Sequence, residues 1–105
     1  MRLEYESAEK LKKDIIKIVG KYIPLDQYRL FFFGSRVKGT NSDRSDIDVG
    51  IEGEVPIPWS IMANIEEEIE DLPTLYKIEI VDFRRVPEKF KEVAFQHTEL
   101  ITQGP

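Results

Sequence analysis

The segment Leu30 to Phe33 constrains the fold most strongly, because it is four consecutive apolar residues, three of them phenylalanine, stopped by Gly34. A run this short and apolar is typical of a β-strand that is buried on both faces. A strand of that kind needs other elements packed against each side of its sheet. The run therefore predicts a sheet covered by helices.

The other predicted elements come from the periodicity of apolar residues, with a period of about 3.6 for helices and 2 for strands. They are, in order, a helix from Ser7 to Pro24, a strand from Asp46 to Ile51, a helix from Trp59 to Leu72, a strand from Tyr76 to Phe83 and a helix that starts at Pro87. We expect one domain over residues 1–105, with a loop or short helix between the first two strands. The predicted class is α/β (α+β), a small mixed three-stranded sheet covered by helices in the order α-β-α-β-α-β-α.

Composition excludes several kinds of site. The chain has no cysteine, so thiolate metal sites and a cysteine nucleophile are impossible, and its one histidine, His97, rules out a His-rich metal site. We expect His97 to be a half-buried packing residue of the last helix. Trp59 is expected in the core, with a surface anchor for a partner as the alternative. The net charge of −5 argues against direct nucleic-acid binding. The N-terminus lacks a signal-peptide pattern and no apolar run is long enough for a bilayer, so we expect a cytoplasmic protein without membrane contact.

Asp46 and Asp48 are the first candidates for chemistry. In a strand, side chains two residues apart point to the same face, so both carboxylates project together while Ile47 and Val49 enter the core. Close carboxylates repel and need a cation, and Mg²⁺ prefers carboxylate oxygens. The alternative is an ordinary surface strand with two solvated aspartates.

The turn before these acids favours the first interpretation. Gly34 and Ser35 directly follow the buried strand, where a glycine turn exposes backbone N–H groups and a hydroxyl to an anion. Arg36, Lys38 and Arg44 follow and could neutralise further phosphate charge. This segment therefore predicts a site for a metal–nucleoside triphosphate.

A third acid is needed if two metal ions, about 3.5–4 Å apart, are to be held. The third predicted strand offers Glu79 and Asp82, which face opposite ways because their separation is odd. Glu79 lies between Ile78 and Ile80 and faces away from the core, whereas Asp82 ends the strand and suits a capping role. Glu79 is the preferred ligand and Asp82 the fallback.

With these residues in place, the stretch FFFGSRVKGTNSDRSDIDVGI resembles the signature of the DNA polymerase beta-type nucleotidyltransferase superfamily. Within it, the chain is most similar to the minimal nucleotidyltransferases (MNT), short proteins often paired with a HEPN-domain protein. The resemblance covers roughly residues 10 to 95.

The resemblance implies a nucleotidyltransferase fold and a specific reaction. Gly34 and Ser35 would hold ATP or another nucleoside triphosphate, and Asp46, Asp48 and the third acid would bind two Mg²⁺ ions, with Mn²⁺ as a substitute. A nucleoside monophosphate, commonly AMP, would pass to an acceptor hydroxyl. In paired members of this branch the acceptor is a tyrosine of the HEPN toxin, so the resemblance implies an antitoxin in a hetero-oligomer.

The chain departs from the family at the third acid, where the family usually has Asp and this sequence has Glu79. One extra methylene displaces the carboxylate, and a misplacement of about 1 Å can lower a rate on the order of 100-fold. Three hypotheses remain: an adenylyltransferase, a weak or inactive relative that neutralises its partner by contact, and an unrelated α/β domain. The acidic run from Glu66 to Asp71 is either a solvated helix face or a docking face for a basic partner.

Overall fold

The computed structural model describes residue 3, residues 7–34, residue 37 and residues 46–104. Within these ranges the chain forms three helices and four strands. They are α1 (Ala8–Val19), β1 (Tyr28–Phe33), β2 (Ile47–Gly53), α2 (Trp59–Glu70), β3 (Ile78–Asp82), α3 (Glu88–Ala94) and β4 (Thr98–Thr102). None of the described helices is both long enough and apolar enough to cross a membrane.

The four strands form one mixed sheet in the order β3-β2-β1-β4. Strand β1 runs antiparallel to both of its neighbours, β2 and β4. Strands β2 and β3 are parallel, and α2 connects them, as a parallel pair requires. This order brings the start of β2 between the end of β1 and the start of β3.

The two faces of the sheet carry separate apolar clusters. Helices α1 and α2 cover one face, where Leu30 and Phe32 of β1 are fully buried. Phe31 and Phe33 point to the other face and pack with Phe83. The prediction that this strand is buried on both faces is confirmed.

Helix α1 begins where the sequence indicates. The Ser7 side chain accepts a hydrogen bond from the Lys10 backbone N–H at 3.3 Å, which satisfies one of the free donors at the helix start. The residues of α1 that face the sheet are Leu11, Ile15, Ile18 and Val19, all buried. The helix ends at Val19, earlier than the predicted Pro24, because Gly20 begins a series of turns.

The predicted fold class is confirmed, but the described sheet has four strands where three were expected. The last helix ends at Ala94, and Thr98–Thr102 pairs with β1 as β4. The segment alternates, with Ile101 packed toward the core and Leu100 on the other side. Pairing with the otherwise open edge of β1 satisfies backbone groups that a longer helix would leave unused.

The expected partial burial of His97 is wrong, and Trp59 lies on the surface rather than in the core. His97 lies after α3 and is exposed, because the helix stops before reaching it. Trp59 is 71% exposed, since the buried stripe of α2 begins only at Met62. The indole ring instead lies under the Arg85 guanidinium, with Cζ 3.8 Å from the ring centroid. The predicted loop or short helix after Gly34 falls mostly outside the described residues.

Candidate functional site

Strand β2 carries two acids at its start. Ile47, Val49 and Ile51 are fully buried against the helices, so alternation directs Asp46 and Asp48 to the opposite face. Asp48 is half-buried, and Asp46, one residue before the strand, is also partly buried. The two carboxylates share a face, as the period of two predicted.

Asp48 lies between two neighbouring strands. It is opposite Phe33 in the antiparallel pair with β1, and its partner in the parallel pair with β3 is Glu79. Paired residues on adjacent strands have side chains on the same face, so Glu79 joins the two aspartates there. Glu79 is exposed and forms an ion pair with Lys77, whose Nζ lies 3.6 Å from Glu79 Oε1. Lys77 was not among the predicted site residues, although its position two residues before Glu79 in the chain is a signal for a shared face.

These three acids affect one another electrostatically. The pKa of Asp48 is raised from 3.8 to about 6, mainly by burial and additionally by the negative charges of Glu79 and Asp46. A bound cation would be stabilised here, because it would relieve the repulsion between Asp48 and the two neighbouring carboxylates. The site therefore attracts positive charge from a ligand.

Gly34 ends β1 directly beside Asp48. Its φ of 88° lies in the left-handed region, which glycine adopts without strain. A Cβ atom at this position would also overlap the Asp48 carboxylate. Both the turn and the close approach of backbone to carboxylate therefore require glycine, and the chain leaves β1 next to the acids.

Asp82 has a different role, although it is the fallback candidate for the third ligand. It is 6% exposed and pairs in register with Ile51, at the far end of β3 from Asp48. Its Oδ2 accepts the backbone N–H of Ile57 at 2.8 Å, and its Oδ1 accepts that of Arg84 at 3.0 Å. Arg85 adds an ion pair at 3.3 Å. These contacts give Asp82 a structural role, joining the end of β3 to the segment before α2.

The residue types at this site fit a hard divalent cation. Asp46, Asp48 and Glu79 supply oxygen ligands from one face of the sheet, and their mutual repulsion is relieved by a cation. In this structure no three acidic or histidine side chains among the described residues form a closed ligand set. The fit thus rests on ligand chemistry and on the shared face.

The predicted phosphate-binding residues Ser35, Arg36, Lys38 and Arg44 lie outside the described residues. Of that group, only Gly34 is described. The acidic run of α2 is described and divides in two. Glu68 is partly buried and contacts Lys21 and Tyr22 of the segment after α1, whereas Glu66, Glu67, Glu70 and Asp71 are exposed.

Comparison with known proteins agrees with this geometry. The family model described as "Polymerase beta, Nucleotidyltransferase" matches residues 13–104. A Haemophilus influenzae protein named "Probable protein adenylyltransferase MntA" is 28% identical over 79 residues, which are 75% of this chain and 68% of that protein.

Two solved structures share the fold. A crystal structure of a toxin-antitoxin with AMP-PNP has a TM-score of 0.71 at 20% identity, over 90% of this chain and 73% of that chain. A structure of tri-AMPylated Shewanella oneidensis HEPN toxin in complex with MNT antitoxin has a TM-score of 0.60 at 18% identity, over 92% of this chain and 73% of that chain. The family match covers most of the chain, including Gly34, both aspartates and Glu79. This chain therefore belongs to the polymerase beta-type nucleotidyltransferase family.

Proposed function

We propose that this chain transfers a nucleoside monophosphate, AMP from ATP, to a hydroxyl group on a partner protein. The partner in this proposal is a HEPN-domain toxin, the acceptor is one of its tyrosines, and the chain acts as the antitoxin. The observation that carries the proposal is the register of Asp48 with Glu79 across β2 and β3, beside the glycine turn at Gly34. With ATP as the donor, the reaction takes place in the cytoplasm.

In the proposed reaction the acceptor oxygen attacks the α-phosphorus of ATP. A new O–P bond forms, the bond from the α-phosphorus to the bridging oxygen breaks, and pyrophosphate leaves. Glu79 accepts the proton of the hydroxyl, because it is the exposed acid of the site and lies within reach of solvent and of an acceptor. Lys77 Nζ, 3.6 Å from Glu79 Oε1, places a positive charge beside this proton acceptor.

Asp46 and Asp48 hold the cation side of the site in this proposal, with Glu79 as the third ligand. Bound Mg²⁺ or Mn²⁺ would neutralise phosphate charge and lower the pKa of the attacking hydroxyl. Gly34 and Ser35 would bind the triphosphate through backbone N–H groups and a hydroxyl.

Further phosphate charge would be neutralised by Arg36, Lys38 and Arg44, which the sequence places between the glycine turn and the aspartates. All three are expected to contact the donor, so the donor side of the site would be basic and the acceptor side acidic.

The identity of the acceptor is supported by the relatives. One of them is named as a probable protein adenylyltransferase. A solved structure, which contains a chain of similar fold, is of tri-AMPylated HEPN toxin in complex with MNT antitoxin.

Two observations favour a second function. Glu79 is one methylene longer than the aspartate that is usual in the family, and the three acids do not form a closed ligand set in this structure. A chain with a weak site could neutralise its partner by contact alone. In that case the two proteins would form a complex without nucleotide transfer.

The test mixes this protein with its HEPN partner, ATP labelled on the α-phosphate, and Mg²⁺ or Mn²⁺. Label should appear on the partner with the wild-type chain and be absent with Asp48→Asn. The matched control is Asp26→Asn, the same substitution at an exposed aspartate in the turn before β1. If the two proteins formed a complex but no label appeared on the partner, inhibition by contact would be favoured over enzymatic transfer.

A further inference from the structure

Within the part of the chain that the structure describes, the outer side of β3 is a free strand edge. Among the described strands, β3 pairs with β2 alone and lies at the end of the sheet. The Lys77 carbonyl accepts from Ile47 N–H, and Phe83 N–H donates to the Ile51 carbonyl. Because backbone groups of successive residues alternate in direction along a strand, those of Ile78 and Ile80 point away from β2. These two residues present donors and acceptors to an additional strand.

A groove of about 540 Å³ runs along this edge. Its lining includes Ile78 and Ile80, which face the helices, and also Glu79 and Val81, which face the other way. A groove over one face of the sheet could not contact both sets. The groove therefore follows the edge itself and gives access to the backbone of β3.

The helices bury the sheet less completely near this edge. The helix-facing residues of β2, Ile47, Val49 and Ile51, are fully buried, whereas Ile78 and Ile80 are only partly buried. Exposed edges with apolar residues pair readily with another chain, and proteins commonly protect them with proline or other devices. Strand β3 contains no proline. An added strand would complete the burial of its isoleucines.

Charge indicates what kind of segment fits. The residues that line the groove include three acids, Glu66 and Glu70 on α2 and Glu79 on β3, and one base, Lys77. Lys77 is already paired with Glu79. The groove therefore complements a basic segment.

We propose that an extended, basic segment of the acceptor protein pairs with the free edge of β3 and carries the acceptor hydroxyl. Neighbouring strands lie about 4.8 Å apart. The side chain of the segment residue opposite Glu79 would therefore lie on the same face of the sheet as Glu79, about 5 Å from it. A tyrosine at that position would place its hydroxyl on the side of the sheet where Asp48 also lies. The inference rests on the proposed function for its acceptor, but not for the pairing itself.

The pairing is tested with a synthetic peptide in which lysine and valine alternate around one central tyrosine, labelled for fluorescence anisotropy and used without ATP. The full-length wild-type chain should bind it, and the amide hydrogens of Ile78 and Ile80 should exchange more slowly in the complex. N-methylation at every second peptide residue should weaken binding at least tenfold, and N-methylation at the intervening residues should leave it unchanged. No binding, or binding that is insensitive to N-methylation at every position, would overturn the pairing.

Charge reversal on α2 supplies the matched pair of variants. Glu70→Lys should weaken peptide binding at least tenfold, because Glu70 lines the groove. Glu67→Lys makes the same change at an exposed position of the same helix that does not line the groove, and binding should remain unchanged. Equal effects of the two substitutions would contradict the groove as the docking place.

Transfer to the whole partner separates this inference from the proposed function. Peptide binding that depends on alternate N-methylation, without any transfer to the partner, would support the edge pairing and refute the proposed enzymatic function. If the Glu70→Lys variant transferred AMP to the partner at the normal rate, the proposed enzymatic function would stand and the edge pairing would be refuted.

Discussion

Replacing Asp48 by asparagine should stabilise the metal-free protein. The Asp48 carboxylate is half-buried and lies near two other acids, so its charged form is unfavourable in the fold. Asparagine has nearly the same shape and no charge. The folded state loses the repulsion, while the unfolded chain is little affected.

The size of the effect follows from the raised pKa of Asp48. A rise from 3.8 to about 6 corresponds to at most about 3 kcal/mol of free energy of unfolding. Because the side chain is partly exposed, solvent screening reduces this to about 1–2 kcal/mol. For a domain of this size the melting temperature should rise by roughly 5–10 °C.

The direction of the Asp48 pKa shift determines how the stability difference between the two proteins depends on pH. The folded pKa of Asp48 is higher than its unfolded value, so the folded state keeps its proton to higher pH. The contribution of Asp48 to the stability of the wild-type chain is therefore lost as pH rises from 3.8 to about 6, and the loss is complete above that window. The advantage of Asp48→Asn should be full at pH 7.5 and vanish near pH 3.8.

Thermal melting followed by circular dichroism in EDTA, at pH values across this window, measures the difference. Asp26→Asn serves as the control because this aspartate is exposed in a turn, and its melting temperature should follow the wild type. An Asp48→Asn variant that melts below the wild type at pH 7.5 would refute the electrostatic account of the site.

Three further variants separate structure from chemistry. Gly34→Ala should lower stability by about 1–2 kcal/mol through its positive φ and should abolish transfer by displacing the Asp48 carboxylate; wild-type melting and transfer would contradict the turn geometry. Asp82→Asn should lower the free energy of unfolding in urea by about 2–3 kcal/mol, because a buried charged acceptor of two backbone N–H groups is lost, and its transfer per folded molecule should be unchanged. Ser35→Ala should weaken ATP binding in calorimetric titration without changing the melting temperature, and unchanged affinity would return Ser35 to an ordinary turn residue.

Local patterns predicted which faces of their strands the candidate acids occupy, because such patterns act over a few residues. The period of two in Asp46 to Ile51 predicts that both aspartates share a face, and the odd spacing of Glu79 and Asp82 predicts that only one of them joins that face. The structure confirms the strand and the separation of these two acids, since Asp82 is enclosed by backbone donors at the far end of β3. The same reasoning identified the buried strand at Leu30–Phe33.

Non-local pairing explains what the sequence did not predict. The stretch through His97 fits helical spacing, yet Thr98–Thr102 is a strand because β1 offers it a partner far away in the chain. The exposure of Trp59 depends on where the covering of the sheet ends and on the position of Arg85, neither of which appears in a local pattern. The free edge of β3 likewise follows from the strand order alone.

The most direct test of the central claim is the single-turnover rate of AMP transfer to the HEPN partner by variants of Glu79. Glu79→Gln should abolish transfer while leaving the fold intact, because an amide neither accepts the proton nor supplies the charge of the third ligand. Glu79→Asp should keep or raise the rate, since it restores the shorter acid typical of the family. Transfer by Glu79→Gln at the wild-type rate would contradict the account, and loss of transfer per folded molecule in Asp82→Asn alone would move the third acid to Asp82.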